Sequence, residues 1–310
     1  MKNKHKSFWV VLLTVILAIF ASCDPTLNSD PIYTGPRWIG NWGVTGDARG
    51  LTIIEYNGQL PRNLTIPAQI GGINVIAIGQ GAFRRRELTS VIIPDTIIYI
   101  GNNAFRANQL KNVTIPGGVI TIRNNAFLDN KLEHITIPDS VITIGSNAFA
   151  NNELISVIFQ GNNLASIGDN AFVHNRLTTI TIPNSVITIG VGAFWSNDLA
   201  SVYLPSNIAV IPPVAFASNS LKAIIIPDSV TTIGFSAFCT NILSSVTIPA
   251  SVNSIERSAF RNNLPLVKVE FKGNTVAIHE EAFSGDNLHT LFGNSPGIYD
   301  FDGITWSRRP

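Results

Sequence analysis

Charged residues are scarce in this chain: they make up 13% of its 310 residues, about half of the ~25% that is usual in soluble domains. The formal net charge is only +1, and lysine and arginine are scattered along the sequence. A protein that binds nucleic acid needs a basic stripe to neutralise phosphates, so this composition argues against nucleic acid as a partner. The apolar share of 45% is large enough for a continuous core.

Cysteine is nearly absent as well, with two residues in the whole chain. Cys23 follows an apolar amino-terminal run, which leaves Cys239 as the one thiol of the remaining sequence. A single cysteine cannot form an intramolecular disulfide. Cys239 directly follows a repeated phenylalanine, at a position that elsewhere holds residues as different as Arg84 and Trp195. It is therefore interpreted as a structural bystander and not as a nucleophile.

Long apolar runs are limited to one, from Phe8 to Phe20, which spans 13 residues. A membrane-spanning helix needs roughly 20 residues, so a retained transmembrane anchor is disfavoured. Three lysines lie within the first six residues, and small residues follow the run. This pattern is typical of an export signal and predicts that residues 1–22 are a cleaved signal peptide.

The end of this signal, Phe-Ala-Ser-Cys at positions 20–23, resembles the lipobox of bacterial lipoproteins, although leucine is commoner where Phe20 stands. The resemblance implies that Cys23 is lipidated, becomes the new amino terminus and holds the protein to a membrane. The alternative is an ordinary secretory signal with an incidental cysteine. Residues 23–37 are predicted to form a flexible tether, because the sequence from Asp24 to Pro36 lacks periodicity.

An internal repeat of 22 or 23 residues dominates everything after residue 75. Each unit carries an Ala-Phe pair, with isoleucine five residues before the phenylalanine and, in most units, leucine five residues after it. The alternation that follows, as in Ile135, Thr136 and Ile137, has the period of a half-buried strand, and a proline such as Pro138 usually ends it. The ten phenylalanines are Phe83, Phe105, Phe127, Phe149, Phe172, Phe194, Phe216, Phe238, Phe260 and Phe283.

One such unit cannot bury its own phenylalanine, whereas stacked units bury their apolar residues in a continuous column. The sequence therefore predicts a leucine-rich-repeat solenoid of ten coils, mainly β with one parallel sheet, on the order of 50 Å long. We expect the repeat array to occupy residues 67–292. An amino-terminal cap at 38–66 and a carboxy-terminal cap at 293–310 are expected because an uncapped solenoid exposes core and strand edges.

Asparagine recurs three residues after the phenylalanine in eight units. One interpretation is a polar recognition row. The favoured interpretation is a ladder inside the turns, in which each amide satisfies backbone groups of its own coil and the next, because the position lies between two buried ones. The eight residues are Asn108, Asn130, Asn152, Asn175, Asn197, Asn219, Asn241 and Asn263.

Turn signals and aromatic residues mark both ends of the array. Leu51–Tyr56, an Asn-Gly pair at 57–58 and the apolar run Leu64–Pro67 predict a hairpin that leads into the first coil. Trp38 and Trp42 are expected to cover the apolar end. A closing hairpin at the other end is predicted from Tyr299, Phe301, the pair Asp302-Gly303 and Trp306.

No grouping of catalytic or metal-binding residues emerges from the sequence pattern. The histidines beyond the signal fall at four different positions of the repeat, so they point in different directions. No His-Glu-x-x-His run, cysteine pair, nucleotide loop or calcium loop occurs. We therefore expect a protein that is not an enzyme and that has no cofactor, metal or small-molecule substrate. These histidines are His134, His174, His279 and His289.

The segment Ile137–Phe149 reads Ile-Pro-Asp-Ser-Val-Ile-Thr-Ile-Gly-Ser-Asn-Ala-Phe, with near copies at 182–194 and 226–238. It closely resembles the BspA-like leucine-rich repeat of bacterial surface antigens and lipoproteins, over about residues 51–292. Many members carry cysteine where this chain carries the repeated asparagine. The resemblance implies a surface protein that attaches to host matrix proteins, plasma proteins or other cells.

The residues at outward strand positions form the surface that can vary to suit a partner. They form an almost uncharged set of hydroxyl, isoleucine and tyrosine side chains, suited to a protein partner, and Tyr203 with Trp195 is the expected hot spot. The leading hypothesis is a lipid-anchored adhesin on the outer surface of a bacterial envelope. The alternative is a periplasm-facing scaffold lipoprotein that self-associates or binds envelope components, and glycan binding is weaker because few aromatics align. The predicted partner-binding residues are Ile92, Thr114, Thr136, Ile158, Thr181, Trp195, Tyr203, Ile225 and Thr247.

Overall fold

The computed structural model describes residues 35–273, 276–284, 288–293 and 295–310. The predicted signal peptide, Cys23 and most of the predicted tether lie outside the described residues. Within the described part of the chain, no helix is long and apolar enough to cross a membrane.

The chain coils into a β-solenoid, in which each turn of the coil is one sequence repeat. Most strands are short, because each coil bends sharply between its flat sides. In chain order the elements are β1 (Arg37–Ile39), β2 (Trp42–Asp47), β3 (Gly50–Tyr56), β4 (Asn63–Thr65), β5 (Gln69–Ile70), β6 (Ile73–Ile78), β7 (Ser90–Ile92), β8 (Tyr99–Ile100), β9 (Thr121–Ile122), β10 (His134–Ile137), β11 (Thr143–Ile144), β12 (Ser156–Phe159), β13 (Ser166–Ile167), β14 (Thr179–Thr181), β15 (Thr188–Ile189), β16 (Ser201–Tyr203), β17 (Val210–Ile211), β18 (Thr232–Ile233), β19 (Ser245–Ile248), β20 (Ser254–Ile255), β21 (Lys268–Phe271), β22 (Ala277–Ile278), α1 (Leu288–Phe292), β23 (Gly297–Phe301) and β24 (Trp306–Arg308).

Two sets of parallel strands run along the solenoid, and the predicted fold class is confirmed. The first set consists of the strands that the alternation of apolar residues predicted, and it contains the pairs β4–β7, β10–β12, β14–β16 and β19–β21. The structure adds a second ladder, built from strands that end at the repeated isoleucine, from β6 through β15 and again from β17 to β22; all of them except β6 have two residues. The sequence pattern hid this ladder because two residues are too few to display a strand period.

A proline accounts for the break in the second ladder between β15 and β17. In neighbouring coils a glycine N–H after the strand donates to the isoleucine carbonyl one coil earlier, as Gly190 does to Ile167 at 2.8 Å and Gly234 does to Ile211 at 2.9 Å. Pro212 occupies this position in the coil between them. Proline has no N–H to donate, so the ladder is interrupted there.

The core is a column of the ten repeated phenylalanines. Consecutive rings stack nearly parallel, with centroids 5.1 to 5.7 Å apart, and every ring is buried. A tryptophan closes each end edge-on: Trp42 lies 6.4 Å from Phe83, and Trp306 lies 6.1 Å from Phe283. Edge-to-face contact suits aromatic rings, so the column ends on favourable pairs.

The asparagine ladder predicted inside the turns is confirmed. The Asn152 amide donates to the carbonyl of Phe149 in its own coil at 3.1 Å and to that of Phe127 in the preceding coil at 3.0 Å, and its oxygen accepts the Leu132 N–H at 3.0 Å. The other seven asparagines repeat this arrangement. The second coil that each amide serves is the preceding one and not the next.

The amino-terminal hairpin forms one element earlier than predicted. β2 pairs antiparallel with β3 and the turn falls between Asp47 and Gly50, whereas the Asn-Gly pair at 57–58 makes no hairpin, because β3 continues into parallel pairing with β6. The Asp47 carboxylate accepts the Arg49 N–H at 2.8 Å, which fixes this turn. Trp42 covers the apolar end as expected, whereas Trp38 is 52% exposed and lies against Gly43.

The carboxy-terminal end is closed by β23 and β24. These strands form an antiparallel hairpin, and β23 pairs antiparallel with β21. The Asp302 carboxylate accepts the N–H groups of Ile304 and Thr305 at 2.8 and 2.7 Å, which shapes the turn and holds the pKa of this carboxyl below its usual range. Tyr299 is fully buried and donates to the Ser295 carbonyl at 2.7 Å, and burial raises the pKa of its hydroxyl.

Candidate functional site

The outward strand row is the first candidate surface. Alternation within β7, β10, β14 and β16 buries one side chain and turns the next outward. Ile225 is 82% exposed, Ile92 64% and Tyr203 60%, so these large apolar groups gain most from being covered by a partner. All eight predicted strand residues are exposed in a single file along the solenoid: Ile92, Thr114, Thr136, Ile158, Thr181, Tyr203, Ile225 and Thr247.

A parallel row of mostly polar residues accompanies it, two positions earlier in each coil. His134 shares a hydrogen bond of 2.8 Å with the Ser156 hydroxyl in the next coil, and Thr179 one of 3.0 Å with Ser201. These bonds run along the solenoid axis and hold donors and acceptors in a regular file. The face therefore offers hydrogen bonding and apolar contact with almost no charge, which suits an extended protein surface.

A shallow groove opens on this face at the second coil. It encloses about 370 Å³ and is lined in part by Asn112, Thr114, His134, Thr136 and Gln160. Asn112–Ile115 is not a strand, and among the described residues no backbone hydrogen bond joins it to either neighbouring coil. The strand pairing on this face is therefore interrupted between this coil and its neighbours.

Trp195 and Tyr203, the predicted hot-spot pair, are not brought together. Within the described residues no ring contact joins them. The Trp195 ring lies instead 5.3 Å from the His174 ring. Both rings lie on the edge of the solenoid that is formed by the turns around the repeated phenylalanines, which we call the turn edge. Trp195 directly follows a buried phenylalanine, whereas Tyr203 lies on the outward strand eight residues later, so they face different sides of the coil.

A second candidate surface on the turn edge was missed in the sequence. Val191, Pro213 and Phe235 occupy the same position in three successive coils, joined by backbone bonds such as Val214 N–H to the Phe235 carbonyl at 2.8 Å. Val191, Phe235 and the nearby Trp195 are exposed. The same column is polar in the preceding coils, at Asn102, Asn124, Ser146 and Asp169.

Backbone strain supports this apolar patch. Val214, next to Pro213, has a φ of +49°, in the left-handed region. A β-branched residue in this region is an outlier, and other coils place asparagine, serine or glycine there, or Glu281 in the last coil. Such strain tends to collect at functional sites. The signal was visible in the sequence as three apolar residues, each three positions before a repeated phenylalanine.

The titratable groups of the described residues do not converge on a reaction centre. His134, His174 and His279 lie on separate sides of the coil, the side chain of His289 lies outside the described part, and no cluster of metal ligands occurs among the described residues. The Glu281 carboxylate accepts hydrogen bonds of 3.0 Å from Arg257 and Arg261.

The hydrogen bond from Arg257 is the main cause that holds the pKa of Glu281 below its usual range. This arrangement serves ion pairing at the surface of the last coils. The two candidate surfaces, the outward strand row and the turn edge, therefore offer a partner apolar contact and hydrogen bonding.

Comparison with solved structures finds similar solenoids. A leucine rich cell surface protein from Faecalibacterium prausnitzii A2-165 is 25% identical over 84% of this chain and 87% of that one, with a TM-score of 0.50. The pneumococcal vaccine antigen PcpA is 22% identical over 82% and 80% of the two chains, with a TM-score of 0.57. A leucine-rich repeat protein from Bacteroides ovatus ATCC 8483 is 20% identical over 82% and 69%, also at 0.57. The last two likenesses concern the fold alone.

No curated protein matches the sequence. The model of the BspA type leucine rich repeat region matches six copies of the repeat, over residues 76–200 and 188–298. These residues include all ten Ala-Phe pairs and part of the cap that follows them. The repeat that builds the solenoid is thus a family repeat, and the chain belongs to the BspA-type leucine-rich-repeat family.

Proposed function

We propose that this chain is a lipid-anchored protein of the bacterial cell envelope whose solenoid presents a protein-binding surface, as an adhesin or surface antigen. The observation that carries the proposal is the outward strand row, where Ile92, Tyr203 and Ile225 stand exposed in a file of hydroxyl groups. The family repeat and the likeness to a leucine rich cell surface protein support display at a cell surface.

The chemistry of the row favours a protein as the partner. Exposed aromatic and aliphatic anchors surrounded by uncharged hydrogen-bonding groups are the composition of a protein interface. The partner class that fits is a host matrix, plasma or cell-surface protein with an extended segment. Leucine-rich-repeat solenoids are typically binding scaffolds, so we propose no catalysis, cofactor, metal, nucleic acid or small-molecule substrate for this chain.

A periplasm-facing scaffold that self-associates or binds envelope components is the second candidate. The apolar turn edge around Val191, Trp195 and Phe235 favours it, because a self-associating protein needs a patch of this kind. The two candidates differ in which side of the outer membrane the array faces.

Protease treatment of intact cells separates the candidates. The adhesin proposal expects the array to be cleaved or shaved from intact cells, together with a known surface protein. A periplasmic marker must stay intact in the same sample. Full protection of the array, with digestion after the outer membrane is opened, would overturn the adhesin and support the scaffold.

A further inference from the structure

Charge is sorted along the axis of the solenoid, although lysine and arginine look scattered in the sequence. Because the coils follow one another along one axis, sequence position is also axial position. Residues 35–131 hold ten basic and five acidic side chains, a balance of +5. Residues 132–255 hold two basic and six acidic side chains, a balance of −4, and the remaining residues hold six basic and seven acidic ones. The amino-terminal third is therefore positive and the remainder negative.

Three adjacent arginines concentrate this charge at the first coil. Arg84 and Arg85 are exposed, and no ion pair among the described residues involves either of them. Arg86 donates to the Tyr56 carbonyl at 3.1 Å, which ties the cluster to the amino-terminal cap. The next arginine on the same edge, Arg106, lies 3.6 Å from Asp129 and is partly neutralised.

Arginines at the opposite end of the turn edge differ in this respect. Arg257 and Arg261 both pair with Glu281, at 2.9 and 3.0 Å. The unpaired cluster is therefore a property of the first coil and not of the repeat. Unpaired exposed arginines keep a field that reaches about 10 Å at ~0.1 M salt, enough to attract a nearby anionic surface.

We propose that this amino-terminal end, centred on Arg84 and Arg85, binds the anionic headgroups of a lipid membrane. The inference rests on the proposed lipid anchor at Cys23. Residues 24–34 between that anchor and the described chain reach roughly 40 Å at most, so the first coils are the part of the array held nearest the bilayer. In this arrangement the positive first coils face the membrane, and the negative coils that follow are repelled from it. The solenoid axis then points away from the bilayer, and the outward strand row stays free for a partner.

The test uses the unlipidated chain from residue 24 onward, which retains every described residue, and vesicles of phosphatidylcholine with or without phosphatidylglycerol. Co-sedimentation is expected with the anionic vesicles only, and it is expected to weaken as salt is raised. Arg84→Glu with Arg85→Glu is expected to weaken vesicle binding by at least about twentyfold, since each lost arginine alone accounts for about fivefold.

The matched control is Lys222→Glu, an exposed lysine in the negative middle of the array. It is expected to leave vesicle binding unchanged. Equal binding to neutral and anionic vesicles, or full binding by the doubly reversed variant, would overturn the inference.

The anchor itself is tested separately, by mass spectrometry of the amino-terminal peptide from cells and of a Cys23→Ser variant. A lipidated Cys23 with no vesicle binding by the soluble chain overturns the orientation and leaves the anchor standing. An unmodified Cys23 removes the anchor from the proposed function, whatever the vesicles show.

Discussion

At the residue scale, the repeated asparagine joins neighbouring coils through hydrogen bonds. Its side chain is buried in seven of the eight units, so its hydrogen bonds take the place of bonds that water cannot supply there. Asn152 serves the carbonyls of Phe127 and Phe149 and the N–H of Leu132, three backbone groups in two coils. Without this amide those groups would stay buried and unpaired.

Asn152→Ala is therefore expected to lower the free energy of unfolding by about 1 to 3 kcal/mol, the cost of buried groups left unpaired. Thermal or urea unfolding measures the change. The control Asn163→Ala removes an exposed asparagine and is expected to melt like the wild type. A melt of Asn152→Ala that matches the wild type would show that the ladder does not stabilise the coils.

Val214, in contrast to the repeated asparagine, lowers the stability of the fold. Its φ of +49° is unfavourable for a β-branched side chain. Val214→Asn is expected to raise the free energy of unfolding by about 1 kcal/mol, because asparagine tolerates the left-handed region. Urea unfolding checks this, with Val191→Asn in the same patch but outside that region as the control. A destabilised Val214→Asn protein would mean that packing of the valine outweighs its strain.

At the scale of elements, each end of the aromatic column is closed by one tryptophan. Trp306 is buried, contacts Phe283 edge-on and donates its ring N–H to the Ser284 carbonyl at 2.9 Å. The hairpin of β23 and β24 thus covers the last coil through one large side chain. The division of the chain into tether, caps and array at 23–37, 38–66, 67–292 and 293–310 remains a prediction.

Trp306→Ala is expected to lower the free energy of unfolding by about 3 to 5 kcal/mol, the usual range for a buried tryptophan. Hydrogen exchange is expected to increase first in the last coils, because a solenoid opens from an uncapped end. Ile304→Ala, in the same hairpin but 81% exposed, is the control and should change neither measurement. Faster exchange spread evenly over all coils would contradict the role of Trp306 as an end closure.

At the scale of the whole molecule, the sequence predicted the repeated core, but it missed the second ladder of very short strands and the features that occur once. The spacing of Ala-Phe pairs identified the column from Phe83 to Phe283, because every coil repeats the same burial. The amino-terminal turn was misplaced, since the Asn-Gly signal at 57–58 is local and the pairing of β3 with β6 is not. Long-range pairing overrides such a turn signal.

The candidate surface was predicted in part for a similar reason. Strand alternation identified the eight exposed residues from Ile92 to Thr247, because a period of two assigns a face. The turn edge around Val214 and the charge cluster at Arg84 are confined to a few coils, so the general repeat pattern does not predict them. Only stacking of the coils brings Val191, Pro213 and Phe235 into one patch and places the positive residues at one end.

The central claim is that the outward strand row is the binding face, and binding of the purified array to solubilised host matrix proteins tests it most directly. Tyr203→Ser with Ile225→Ser should weaken binding at least about tenfold, because both side chains would be central anchors. Ile187→Ser with Val210→Ser, two exposed residues just before β15 and at the start of β17 on the second ladder side, should bind like the wild type. Equal binding by all three proteins, or loss only in the second variant, would contradict it.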